Sequence, residues 1–176
     1  YAKDHNQYAP MAGVPALRHS IADKTRAFYD IELDANTEVT VVSGATEALF
    51  AAIHCCVSPG DEVIMFDPSY DAYDPIVRLA GGVPVHIPLH AATGFRIDWE
   101  VLARAITPKT RAIMVNTPHN PTGSVWSMED LDAFAEVVKG TNILIVSDEV
   151  YEHIVFDGAQ HASVLLHPEL RKRCFV

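Results

Sequence analysis

Arg111-Ala-Ile-Met-Val115 runs straight into Asn116-Thr-Pro-His119-Asn120-Pro-Thr-Gly123, and further on Ile143-Leu-Ile-Val-Ser147 runs into Asp148-Glu149-Val-Tyr151. Each is a short, nearly continuous apolar run that stops at polar residues and a turn. A strand with one wet face alternates apolar and polar side chains, whereas a strand apolar throughout is covered on both faces, as in parallel sheets packed between helices.

Working outward, the same alternation of strand and helix recurs. Ser127 with Asp130 opens a helix to about Lys139, and Asp98 caps one reaching about Ile106. Glu62 to Phe66 and Val83 to Leu89 read as strands, with a helix after Tyr70 between them. Ser58-Pro-Gly-Asp61 is a turn that follows a helix from Ala45 to Val57. The β-branched run Val39-Thr-Val-Val42 reads as another strand, and Val14 to Tyr29 as a helix with Pro15 in its first turn. The fold class is α/β: a three-layer sandwich with a mainly parallel sheet between helices. There is no internal repeat, low-complexity stretch or linker.

The chain has 176 residues, 49% of them hydrophobic, enough for one substantial core. It opens on Tyr1 and stops just after Arg171-Lys172-Arg173, so both ends are expected to be cut. A net charge of -10 with only 13 Lys and Arg speaks against a nucleic-acid or anionic-membrane surface. The basic run is expected to be a solvated helix end. The longest apolar stretch, near Ala48 to Val57, is far below the roughly 20 residues of a membrane span. Cys55, Cys56 and Cys174 show no metal or disulfide spacing, which suits a reduced, cytoplasmic protein with Cys55 and Cys56 in the core.

In an open α/β sheet, ligands gather beyond the carboxyl ends of the strands. After Val42 comes Ser43-Gly44-Ala45-Thr46, small residues that lead into a helix whose first amides can hold a phosphate. It matches neither a Walker loop nor a dinucleotide fingerprint. After Phe66 comes Asp67-Pro-Ser-Tyr70-Asp-Ala-Tyr73, which can bring an aromatic ring to a flat heterocycle, although both tyrosines also read as packing residues. The rigid Asn116 to Gly123 loop carries two amides at small entropic cost. His119 is read as a local hydrogen-bonding residue, and no metal is expected. Asp148 ends a buried strand, where a carboxylate is costly unless it meets a cation or caps a helix. Phosphate cradle, ring, amide donor and acid together describe pyridoxal 5'-phosphate.

Here the chain resembles the class I/II aminotransferases, and among them the methionine, glutamine and kynurenine aminotransferase branch. The resemblance is carried by Asn6-Gln-Tyr8-Ala-Pro10 with Gly13, Ser43-Gly-Ala-Thr-Glu-Ala48, Pro68-Ser-Tyr-Asp-Ala-Tyr73, Asn116-Thr-Pro-His-Asn-Pro-Thr-Gly123 and Ser147-Asp-Glu-Val-Tyr-Glu152. It implies a truncated large domain of the fold type I transferases. The amides of Ala45 and Thr46 would hold the phosphate and Tyr70 would stack on the ring. Asn120 and Tyr151 would bond the ring's O3', with Asn116 close behind, and Asp148 would pair with the pyridinium nitrogen. Asn120 would also help hold the substrate carboxylate. Tyr8 would reach the phosphate of a neighbouring subunit, implying a homodimer with shared active sites that works on an amino acid and an α-keto acid.

The same resemblance requires a Schiff-base lysine beyond the Asp-x-x-Tyr pair, two arginines and a small domain. Lys3, Lys24, Lys109, Lys139 and Lys172 all lack that lysine's context, so these parts are expected outside the chain and activity belongs to the complete protein. A carbon-sulfur β-lyase uses nearly the same ring contacts, and a non-catalytic regulator that senses pyridoxal phosphate is an alternative of another class.

Overall fold

The computed structural model describes residues 8–176; Lys3, Asn6 and Gln7 lie outside them. The chain parts into two compact units, one up to Gly44 and one from Ala45 to Val176.

In the first unit, helix α1 (Pro15–Tyr29) starts on a proline, whose fixed φ suits a first turn that has no amide partner to lose. It ends at Asp30 in the left-handed conformation, where the Asp30 amide donates to Arg26 O. The buried Arg18 donates from Nε to Val39 O at 3.0 Å. Val39 to Val42, expected as a strand, joins no ladder among the described residues. A strand needs a neighbour for its amides and carbonyls, and here the Val41 amide is taken by Ala12 O. Gly13 lies beside that bond at φ +102, and a Cβ on it would stand 2.7 Å from Val41 Cβ. Only glycine allows the two segments to approach so closely.

The second unit holds helix α2 (Ala45–Cys56), strand β1 (Glu62–Asp67), α3 (Tyr73–Leu79), β2 (Val83–Pro88), α4 (Trp99–Ala105), β3 (Thr110–Asn116), α5 (Met128–Val138), β4 (Leu144–Asp148), α6 (Pro168–Arg171) and β5 (Cys174–Phe175). The five strands form one parallel sheet in the order β2-β1-β3-β4-β5. Alternate side chains leave opposite faces. Val63, Met65, Ala112 and Met114 pack with Leu49 and Ile53 of α2 and Ile76 and Val77 of α3. Ile64, Phe66, Ile113, Val115 and Ile145 pack on the other face with Leu102 of α4 and Leu131 and Phe134 of α5. This is the expected three-layer arrangement. Truncating a fully buried side chain such as Phe134 to alanine costs about 3–5 kcal/mol.

The helix starts read from sequence are in place. Asp98 accepts from the Glu100 and Val101 amides, and Ser127 with Asp130 forms a reciprocal capping box. Two expectations need correction. Cys55 is exposed while Cys56 is buried, because adjacent residues on a helix point about 100° apart and only one faces the sheet. In the basic run, Arg173 is part-buried and donates to Thr141 O at 2.7 Å and Val138 O at 3.3 Å, closing the end of α5 with a cation.

Parallel strands put all their carboxyl ends on one edge. Asp67, Asn116 and Asp148 are the last residues of β1, β3 and β4, and Asn116 lies in register with Asp148.

Candidate active site

Asp148 stands on that edge at the end of β4, next to the central strand β3. Its Oδ1 accepts from the Val150 amide at 3.2 Å, and its Oδ2 accepts from the Tyr73 hydroxyl at 2.8 Å. Tyr73 is only 4% exposed. Burial, then the Asp148 charge, raises its phenol well above the ordinary range, so it remains a donor. The sequence reading weighed Tyr73 only as a second aromatic or packing residue. Its spacing from Tyr70 is the available signal, because residues three apart can close a tight turn, here by the Tyr73 amide donating to Tyr70 O at 3.1 Å. The two rings meet edge to face, with centroids 5.7 Å apart at 78°. Tyr70 itself is 37% exposed, so one side of its ring is open to solvent.

Asn116 is a strut. Its Nδ2 donates to Asp148 O at 2.8 Å, and its Oδ1 accepts from the Asn120 amide at 2.7 Å. A carbonyl only accepts and an amide N–H only donates, so these two bonds fix which way the Asn116 side chain points. The Thr117 amide also donates to Asp148 O, at 3.1 Å. The acid and the loop bearing Asn120 are thereby fastened together. Within the loop, His119 Nδ1 meets Thr122 Oγ1 at 2.7 Å, the local role expected of it. Burial lowers the His119 pKa, against an opposing bond to the Pro68 backbone.

Ala45 and Thr46 open α2, and both are exposed. Amides in the first turn of a helix precede its own ladder and point out of its end. Gly44, at φ +90, makes the turn before them in a conformation that side chains resist. Tyr151 is 37% exposed, and Tyr8 is fully exposed.

The acid that is buried is not Asp148 but its neighbour. Glu149 is 8% exposed, and its Oε1 accepts from Ser147 Oγ at 2.9 Å and from the Val164 amide at 3.0 Å. Its Oε2 lies 3.7 Å from His161 Nε2. Burial raises the Glu149 pKa to about 7, against the lowering effect of hydrogen bonds from Val164, Ser163 and Ser147. A second acid directly after Asp148 was visible in the sequence, but not which of the pair would turn inward.

A small, partly open pocket lined by Phe66, Tyr73, Met114, Asn116, His119 and Trp126 lies beside this edge. Neither Tyr70, Asn120, Asp148 nor Tyr151 lines it, so it is a packing space and not the crevice. Among the described residues, no three metal-ligating side chains converge.

The arrangement suits a flat, cationic, phosphorylated ring. The Asp148 carboxylate lies at the end of β4, with the part-exposed Tyr70 ring bordering it through Tyr73. In comparison with known proteins, residues 2–176 match the sequence model of aminotransferase class I and II. The chain is 50% identical over 172 residues to a methionine aminotransferase of Escherichia coli, covering 98% of this chain and 44% of that protein. A probable aspartate/prephenate aminotransferase of Thermus aquaticus is 43% identical over 96% of the chain and 44% of its own length. Among solved structures, an Escherichia coli methionine aminotransferase superposes with a TM-score of 0.94 at 50% identity, over 98% of this chain and 46% of the other. An aspartate aminotransferase of Thermus thermophilus with maleate gives 0.91 at 38% identity, over 98% of this chain and 44% of the other. The chain thus spans somewhat under half the length of the relatives it matches. Sequence and fold agree that the chain belongs to the class I and II aminotransferases, a family whose enzymes depend on pyridoxal phosphate.

Proposed function

We propose that the complete protein moves an amino group from an amino acid, methionine-like or aromatic, to an α-keto acid, and that this chain is most of its cofactor-binding large domain. The observation that carries the reading is the Tyr73–Asp148–Asn116 assembly at the strand ends. The name of the 50% identical relative supports a methionine-like donor.

When bound, pyridoxal phosphate supplies an electron sink for the charge left as an amino acid loses its Cα proton. Asp148, oriented by its two donors, would pair with the ring nitrogen and favour its protonated form, because a carboxylate stabilises a cation beside it. The Ala45 and Thr46 amides hold the phosphate with the partial positive charge of a helix start. Tyr70 would cover one ring face, and Asn120 and Tyr151 would donate to O3'. Asn120 also contributes to holding the substrate carboxylate. Tyr8 serves the phosphate of a second subunit in a homodimer. The three free cysteines support a cytoplasmic setting, and no helix among the described residues is long and apolar enough to cross a membrane.

The test is the visible and near-ultraviolet absorbance of the full-length protein with L-methionine and then an α-keto acid. A cofactor band that moves to the ultraviolet with the first and returns with the second is expected. Pyruvate with thiol release instead would make it a β-lyase, and no band even with added pyridoxal phosphate would overturn the reading.

A further inference from the structure

Strand β2 carries one ionisable side chain, His86, on the face opposite Val85 and Ile87. Both its ring nitrogens meet carboxylates: Nδ1 lies 2.9 Å from Asp67 Oδ2 and Nε2 lies 2.9 Å from Asp74 Oδ2. A neutral imidazole has a single N–H, so one of these contacts would set lone pair against lone pair. Only the imidazolium, a donor at both nitrogens, satisfies both.

The two acids bracket the turn that presents the site's aromatic pair. Asp67 closes β1, Asp74 is in the first turn of α3, and Tyr70 and Tyr73 lie between them. The other Asp67 oxygen accepts from Ser69 Oγ at 3.0 Å. Asp74 is shared with Arg78, whose Nη2 donates to Oδ2 at 3.1 Å, but that pair lies within one helix and cannot join it to β1. The charged groups facing His86 are therefore Asp67 from β1 and Asp74, backed by Arg78, from α3. Helix α4 meets β2 through the apolar core on the opposite face.

The geometry points to His86 as a positioning residue whose imidazolium ties Asp67 to Asp74 and thereby sets where Tyr70 and Tyr73 stand. The consequence for cofactor binding rests on the proposed pyridoxal-phosphate site. Burial opposes the charged ring, but the hydrogen bonds to Asp67 and Asp74 outweigh it and hold the His86 pKa above its ordinary value of 6.5. A raised folded-state pKa means that the tie is complete below that ordinary value and is lost as pH rises through the raised one. His86 keeps 34% of its side chain exposed, so solvent limits the effect to about three- to fivefold in an equilibrium constant.

The experiment uses full-length protein with isotope-labelled histidine and tyrosine, followed by NMR against pH without cofactor, beside His86→Gln. The expected result is a His86 midpoint above the ordinary value and Tyr70 and Tyr73 ring signals that move with it, a movement absent in His86→Gln. A midpoint at or below the ordinary value, or tyrosine signals indifferent to it, overturns the proposal. Pyridoxal-phosphate affinity is then measured over the same range, where wild type should weaken about three- to fivefold as pH rises and His86→Gln should be weak throughout. Tyrosines that follow His86 while cofactor affinity does not would uphold the tie and count against the cofactor reading of Tyr70.

Discussion

The Tyr73 hydroxyl reaches Asp148 Oδ2 across 2.8 Å, joining residues 75 positions apart in the chain. This bond links the helix that follows the aromatic turn to the acid at the end of β4, and the phenol has no charge of its own to lose. Tyr73→Phe keeps the ring against Tyr70 and removes only the donor. A hydrogen bond to a charged group is worth about 1.5–3 kcal/mol, and at the lower end its loss lowers kcat/KM of the full-length enzyme about tenfold. Steady-state kinetics check this, and an unchanged kcat/KM would mean that Asp148 is held without Tyr73.

Asp148→Ala asks for more, because it removes the charge itself. Losing a preorganised charge opposite a reacting cation costs about 4 kcal/mol, or roughly a thousandfold in kcat at about 1.4 kcal/mol per factor of ten. Cofactor retained with turnover near that of wild type would take Asp148 out of the reaction.

Much of this site was legible because parallel strands announce themselves. Ala112–Val115 and Leu144–Val146 are unbroken apolar runs that give way to polar residues at the strand ends, so a reader looking there arrives at Asn116 and Asp148. What stayed hidden depends on partners distant in the chain. Nothing near Asn116 in sequence tells that its side chain joins Asp148 O to the Asn120 amide. His86 is one polar residue in an apolar strand, and nothing near it in sequence says that two acids converge on it. Val39–Val42 has every local mark of a strand, yet propensity alone makes no ladder.

The strut makes Asn116→Asp more informative than a truncation. The new carboxylate still accepts from the Asn120 amide, but it cannot donate to Asp148 O and it adds a like charge beside Asp148. The expected loss is about 2 kcal/mol of stability at neutral pH, partly regained as pH falls far enough to protonate the new acid. Urea unfolding of the full-length protein at two pH values measures it. A difference from the wild-type midpoint that stays the same at both pH values would mean that protonating the new acid restores nothing and that the Thr117 amide alone satisfies the Asp148 carbonyl.

Glu149→Gln separates two descriptions of the buried pair next to the site. With its folded-state pKa at about 7 against an ordinary 4.5, Glu149 favours the protonated form on folding. Its stabilising contribution is therefore complete below pH 4.5 and is lost as pH rises through about 7. Glutamine keeps an acceptor for the Val164 amide and cannot ionise, so the variant should gain on wild type across that window, by on the order of 2–3 kcal/mol. Apparent urea midpoints of both proteins, taken from mildly acidic to mildly alkaline pH, give the difference directly. Lines that stay parallel would mean that His161, with Nε2 3.7 Å from Glu149 Oε2, carries a charge and keeps Glu149 ionised in the interior. In that case glutamine would be the less stable residue wherever the pair is charged in wild type, because it would leave the imidazolium buried opposite a neutral amide.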